Sequence, residues 1–378
     1  MELRRTDEED GMNRKIVLAL ILVMAVSTIS LLLVKPVNAQ NTVTATLKVG
    51  TYPSGIAITP NGAYAYVANF GSNTVSVVST SSIYVYATID VGNVPMNVAI
   101  TPNGSYAYVT NKGGNSVSVI DTTTNEVIKT LTGFVNPYGV AVTPDGSYTY
   151  VSNSGNDSVT VISTNTDNIT ATIEVGTSPM SIAITPDGTY AYVADSSSNT
   201  VSVIKTATNN VVATLKVGSH PESVAVTPNG EYVYVTNGGS ISVIKTTTNK
   251  VIASIGAFSG PDCVVVTPNG AYAYVTSFSK GNTIADEDLS VVSVVDTDRN
   301  NVIATINNDE FLDLSGVAFT PNSEYAYVTN TGNDEIVIIS TPSPTPTPSI
   351  PELSWLVILL LLLSVLFVAV IVRHRKNR

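Results

Sequence analysis

The sequence predicts an all-β fold: a seven-bladed β-propeller of four-stranded antiparallel blades, closed by an N-terminal strand. Three observations predict it: a motif returns seven times, each copy holds four strand patterns, and the two chain ends supply the parts of one shared copy. "TPNGAYAYVAN" at 59–69 recurs as "TPNGSYAYVTN" at 101 and "TPDGSYTYVSN" at 143. The Thr-Pro pairs start at Thr59, Thr101, Thr143, Thr185, Thr227, Thr267 and Thr320, with spacings of 42, 42, 42, 42, 40 and 53. A period near 40 residues is the signature of stacked supersecondary units.

In the fourth copy "SIAITP" turns through "DG" into "TYAYVAD". A polar loop, "TVSVIKT", the turn "ATNN" and "VVATLKVG" follow. Alternation, β-branched residues and tyrosine mark these as strands rather than helices. In Thr-Pro-Asp-Gly the proline presets the first corner, Asp bonds locally and Gly accepts a left-handed backbone, which makes a tight hairpin. Six copies keep that glycine, and Ser323 replaces it in the last. On the second strand, "AYAYVAN", tyrosines and small or branched residues fall on opposite faces, neither strongly polar. Such a strand needs a sheet on each side, with Tyr filling the wider gap.

The chain ends decide between a ring and an open solenoid. "NTVTATLKVG" at 41–50 matches the fourth strand "NNVVATLKVG" at 209–218, whereas the seventh copy passes from "EIVIIST" into a Pro-rich stretch without a fourth strand. The opening segment therefore completes the last blade and leaves no free sheet edge between blades. No single unit can bury both of its apolar faces, but a ring of seven buries all of them.

Outside the propeller, placed at 41–341, two hydrophobic runs carry their own expectations. Arg14 and Lys15 precede Ile16 to Val34, and Val37 and Ala39 suit a signal-peptidase site, so 1–39 reads as a signal peptide cleaved after Ala39, with Met12 an alternative start. The same run is just long enough for a retained membrane helix. Residues 342–353 read as a Pro/Thr/Ser stalk, 354–372 as a transmembrane helix without charge from Trp355 to Val372, and 373–378 as a basic cytoplasmic tail. These segments predict a cell-surface protein anchored in the cytoplasmic membrane through its C-terminal helix, with the propeller outside.

Between residues 40 and 350 there are 9 Lys and Arg against 23 Asp and Glu, a formal balance of 9 − 23 = −14. That charge disfavours nucleic acid as a partner. The single cysteine, Cys263, has no internal disulfide partner and reads as a buried thiol. Asn103, Asn156 and Asn168 head Asn-X-Ser/Thr sequons and are candidate glycosylation sites.

The repeat resembles the YVTN-type β-propeller family of surface-layer-like exported proteins. The four-letter signature stands literally at Tyr108-Val109-Thr110-Asn111, Tyr234 to Asn237 and Tyr327 to Asn330. The resemblance implies a seven-bladed propeller on a cell surface, often in archaea, without implying one activity. The C-terminal block is similar to archaeal sorting tails, with Pro351-Glu352-Leu353 where those carry Pro-Glu-Phe.

Catalytic chemistry is thinly supplied. His220 and His374 are the only histidines, and no phosphate-binding, dinucleotide, haem-attachment or zincin motif occurs. The loops joining blades, beside the recurring prolines, place Tyr138, His220, Glu222 and Asp262 at the mouth of the central channel. Glu222 and Asp262, from adjacent blades, are placed to hold a cation such as calcium, and no other cofactor is expected. An insertion in copy six, 277–290, adds Asp286 and Asp288 as a second candidate cation site. The leading expectation is a non-enzymatic module for adhesion, envelope structure or recognition of an extracellular protein or glycan. The alternative is an extracellular propeller enzyme, or a binder of a small ligand or calcium, with its site at the channel mouth.

Overall fold

The computed structural model describes residues 41–256, 258–278 and 289–342. These form seven four-stranded antiparallel sheets. Blade one runs Pro53–Ile58, Tyr64–Asn69, Thr74–Ser79 and Tyr84–Asp90, and the next five blades repeat this sequential order. The first strands of neighbouring blades touch all the way round, blade seven against blade one included, so they form the inner wall of a closed ring.

Closure occurs as predicted. Thr42–Lys48 pairs antiparallel with Glu335–Ser340, placing Thr42 opposite Ser340 and Lys48 opposite Glu335, with one bulge between Val43 and Ala45. Blade seven is therefore built from both ends of the described chain, with Leu314–Phe319 innermost and Thr42–Lys48 outermost.

The recurring Thr-Pro turn is a network of side-chain and backbone bonds. The Gly62 amide donates to the Thr59 carbonyl at 2.7 Å, and the Thr59 hydroxyl donates to Asn61 Oδ1 at 2.7 Å while accepting from the Tyr64 amide at 3.0 Å. Gly62 has φ 73°, a left-handed backbone that glycine adopts at no steric cost. Ser323 holds the same conformation at φ 57°, and its hydroxyl accepts from the Asn269 amide one blade back.

Seven buried apolar clusters fill the seven interfaces between blades. In each, the tyrosine of one second strand packs on small or branched residues of the next blade's second strand, as Tyr66 does against Ala107 and Val109 and Tyr192 against Val233 and Val235. Tyr66, Tyr108, Tyr150, Tyr192, Tyr234, Tyr274 and Tyr327 are all buried to within 2% exposure. A phenol enclosed so fully needs a polar partner. Tyr66 donates to Asn125 Oδ1 at 2.6 Å, Tyr150 to Asn209 at 2.7 Å and Tyr234 to Asn300 at 2.6 Å, each in the outer turn of the following blade.

Two blades depart from the pattern. Blade five has an inner strand of three residues, Val224–Val226, against six elsewhere. Blade six has a long outer strand, Asn301–Leu312, which accounts with the insertion for the 53-residue spacing. In blade four Asp195 takes the place held by Asn69 in blade one. It is fully buried, accepts from Ser202 at 2.7 Å and Thr200 at 3.1 Å, and is pushed up to about 6 by that burial.

The membrane expectation is corrected. No helix among the described residues is long and apolar enough to cross a membrane. The expected signal peptide at 1–39, the stalk beyond Pro342, the helix at 354–372 and the tail at 373–378 lie outside the described residues. The transmembrane helix as part of the fold, the membrane as partner and the anchored cell-surface location are accordingly withdrawn.

Candidate functional site

Each blade begins with the same backbone device. The residue before the inner strand in six blades, and His220 at the matching position of blade five, are left-handed: Tyr52, Val94, Asn136, Ser178, His220, Gly260 and Asp313 have φ between 48° and 57°. Its amide is held in five blades by an Asn or Asp of a neighbouring loop, for example Val94 by Asn73 Oδ1 at 2.8 Å and His220 by Asn199 Oδ1 at 2.8 Å. His220 is thus used through its backbone, and its side chain is exposed. Its ring is not among the groups acting on Glu222 or Asp262.

Two residues further on, the chain is tied to the blade before. The Thr110 hydroxyl donates to the Tyr138 carbonyl at 2.6 Å, Thr236 to Asp262 at 3.1 Å and Thr276 to Ser315 at 2.8 Å. Ala194 lacks that hydroxyl, and the Glu222 carbonyl instead accepts the Ser181 amide at 3.2 Å. This junction precedes the shortened inner strand of blade five.

Glu222 and Asp262, in blades five and six, are both half-buried, and each carboxyl acts on the titration of the other. Burial first, and then the Asp262 charge, push Glu222 up to about 7. Burial also raises Asp262, with Asp313 adding to it, while hydrogen bonds from Ser315 and Glu222 pull the other way. Two carboxyl groups that act on one another titrate together, and the first charge makes the second proton harder to remove.

Tyr138 belongs to blade three, yet burial, Asp262 and Glu222 together raise its hydroxyl. Blade three flanks neither blade five nor blade six. Of the four residues expected at the channel mouth, Glu222 and Asp262 act on the Tyr138 hydroxyl, and the His220 ring is not among the groups that do. Ser315 and Asp313 are added by the structure. Ser315 corresponds to Asp262 one blade later, but follows Leu314 rather than proline, which hides the correspondence. Lys112 is a further addition: its ammonium lies 5.4 Å from the centroid of the Tyr138 ring. Cys263, beside Asp262, is half-buried, and burial pushes its thiol up to about 12, which leaves it protonated and unreactive.

Asp286 and Asp288 lie outside the described residues. Asn103, Asn156 and Asn168 are all exposed. No group of three or more His, Cys, Asp or Glu side chains placed to hold a metal occurs among the described residues. On the opposite face, open clefts of ≈ 500, 500 and 660 Å³ between successive Thr-Pro turns repeat with the blades. They follow from the repeat itself, whereas the acid pair occurs at one place in the ring.

The family model described as Lactonase, 7-bladed beta-propeller matches residues 22–127 and 120–217, more than half of the 378 residues. The matched stretch ends short of Glu222 and Asp262. Among solved structures, Kuenenia stuttgartiensis Hydrazine Synthase is similar in fold, with a TM-score of 0.67 at 21% identity over 81% of this chain and 99% of that one. At that identity the likeness shows the architecture alone. No curated protein matches the chain.

The family match corrects the leading functional expectation. It is a match to propellers named for an enzyme activity, so the non-enzymatic module for adhesion, envelope structure or macromolecular recognition gives way to the small-molecule alternative. The archaeal surface-layer setting implied by the YVTN resemblance is withdrawn with it. The chain belongs to the lactonase family of seven-bladed β-propellers.

Proposed function

We propose that this chain is a propeller enzyme that hydrolyses a small cyclic ester at the mouth of its central channel, with Glu222 and Asp262 as the acid–base pair. The observation that carries this reading is a pair of half-buried carboxyl groups at matching positions of adjacent blades, each following the recurring proline and each raised by burial. Family membership supports the reaction class.

A pair sharing one proton has both partners that ester hydrolysis needs. The ionised carboxyl takes a proton from water as the water oxygen bonds to the ester carbonyl carbon. As the bond from that carbon to the ring oxygen breaks, the protonated carboxyl gives its proton to the leaving oxygen. Lactone and water become a hydroxy acid, and the pair again holds one proton. Tyr138, kept neutral by burial and by the two acids, supplies a hydroxyl donor for the carbonyl oxygen as it gains charge.

The finer assignment to YVTN-type repeats is supported by three literal copies of the signature, in which Tyr packs between blades, Thr ties to the next inner strand and Asn is buried. Exposure of Asn103, Asn156 and Asn168 supports them as glycan acceptors. The hydrolytic reading is tested with the full chain on δ-valerolactone and γ-butyrolactone. Turnover is expected, with kcat/KM falling at least a hundredfold in Glu222→Gln and in Asp262→Asn while the thermal transition is kept. An absence of turnover, or wild-type rates in both variants, removes it.

A further inference from the structure

The described residues contain two methionines, Met96 and Met180, and both directly follow the recurring proline of an inner strand. The same position holds Tyr138 in blade three, Glu222 in blade five and Asp262 in blade six. In ring order, blades two, three and four therefore offer Met, Tyr and Met, and blades five and six offer the two acids. Both methionines are half-buried, and neither belongs to the apolar clusters that fill the interfaces between blades. Packing of the blades therefore does not account for them.

The backbone sets these residues at one level of the ring. The carbonyl of the residue after the proline is held by a hydroxyl on the second strand of the blade before. Ser152 donates to Met180 and Thr329 to Ser54 at 2.8 Å, as Thr110 does to Tyr138 and Thr236 to Asp262. Before Met96 that hydroxyl is replaced by Ala68, and Gly55 lets the Met96 carbonyl in, to where a Cβ would stand 2.7 Å from it. Between blades four and five the Ser181 amide donates to the Glu222 carbonyl at 3.2 Å, and the Val224 amide to Ser181 Oγ at 3.3 Å. The chain at Met180 is thus bonded directly to the chain at Glu222. Inner strands of blades two and three, and of three and four, are in contact as well, so the arc from Met96 to Met180 runs on without a gap to the acid pair.

We infer that Met96 and Met180 form an apolar wall beside the acid pair, and that the channel mouth takes a small ring compound carrying an uncharged alkyl tail. The ring lies at the carboxyl groups and the tail along the methionines. An unbranched thioether side chain has three rotatable bonds and shapes itself to apolar groups of varied form, which suits a wall for a flexible tail. Each methylene taken from water tightens binding about fourfold. An ammonium on the tail would meet Lys112, whose own ammonium stands 5.4 Å from the centroid of the Tyr138 ring in the middle of the arc. The inference rests on the site proposed above and names its substrate class, a lactone with an alkyl substituent.

The test is calorimetric titration of the full chain with δ-valerolactam, which presents the ring without the ester, either bare or bearing a butyl, hexyl or carboxypentyl tail on the carbon beside nitrogen. The hexyl compound is expected to bind at least about tenfold more tightly than the bare ring, with butyl between them. Met96→Thr combined with Met180→Thr should erase that preference, and Met96→Leu combined with Met180→Leu should keep it, with thermal transitions confirming that both variants fold. The wild-type series decides by itself if they do not. Equal affinity for bare and hexyl rings, no binding of any lactam, tighter binding of the carboxypentyl than of the hexyl compound, or an unchanged preference in the folded threonine variant overturns the inference. Alkyl preference without turnover of any lactone removes the hydrolytic reading alone. Lactone turnover with no gain from the tail removes this one alone.

Discussion

The hydroxyl of Tyr274 donates to the side-chain oxygen of Asn41, a residue 233 positions away at the other end of the propeller. Asn41 stands where Asn125, Asn209 and Asn300 stand in other blades, taking the tyrosine of the blade before. The ring is therefore latched by the same bond at its seam as elsewhere. Asn41→Ala should lower stability by about 1–3 kcal/mol, because the buried phenol loses its acceptor. Removing residues 41–48 should do far more, since it bares the open edge of Glu335–Ser340. Urea unfolding and size-exclusion chromatography check both. A shortened chain that stayed monomeric with an unchanged midpoint would contradict the closure.

One latch is missing. Ile83 occupies the left-handed position filled elsewhere by Asn or Asp, with φ 51°, and Tyr327 bonds the Thr80 carbonyl at 3.3 Å instead. A β-branched residue is strained there, by about 1 kcal/mol or more. Ile83→Asn should relieve that strain and give Tyr327 the partner its counterparts have, at the cost of some apolar contact with the blade-seven interface. A net gain of about 1 kcal/mol in thermal unfolding is expected, and a loss would show that the Ile83 contact outweighs the latch.

Asp195 makes stability depend on pH. Its carboxyl, ordinarily at 3.8, is raised to about 6, so the folded chain binds more protons than the unfolded one between those values. The stabilisation is fully present below 3.8 and is lost as pH rises through about 6, at most about 3 kcal/mol. Asp195→Asn restores the residue of blade one, whose Asn69 donates to Thr74 and Ser76. The variant should be more stable than wild type at pH 7 and show a flatter melting temperature between pH 4 and 7. Parallel curves for the two proteins would refute this.

The acid pair titrates higher. Glu222, raised to about 7, keeps its proton below that value and loses it as pH rises through it. Lactone hydrolysis should therefore fall above about pH 7, when the pair loses its shared proton and with it the general acid. In Glu222→Gln the residual activity should lack that alkaline limb. An alkaline limb unchanged in the variant would assign it to another group.

Much of this was legible beforehand because a repeat translates position into place. Once seven copies were aligned, Glu222 and Asp262 were neighbours at the channel mouth, and 41–48 had only one blade to complete. Position does not disclose direction, however. His220 sits beside Glu222 in sequence, but a left-handed backbone turns it into a loop residue bonded through its amide. Ser315 is masked by the long strand and insertion of blade six, and nothing in the repeat marks Lys112.

The order of strands, the number of blades and the seam were determined by the sequence alone, since alternation, turn residues and period are local properties that every copy restates. Only the tertiary structure decided that the Lys112 ammonium comes to the ring of Tyr138, on the next blade. Side-chain contacts between blades join residues with no shared strand or turn, so nothing along the chain announces them.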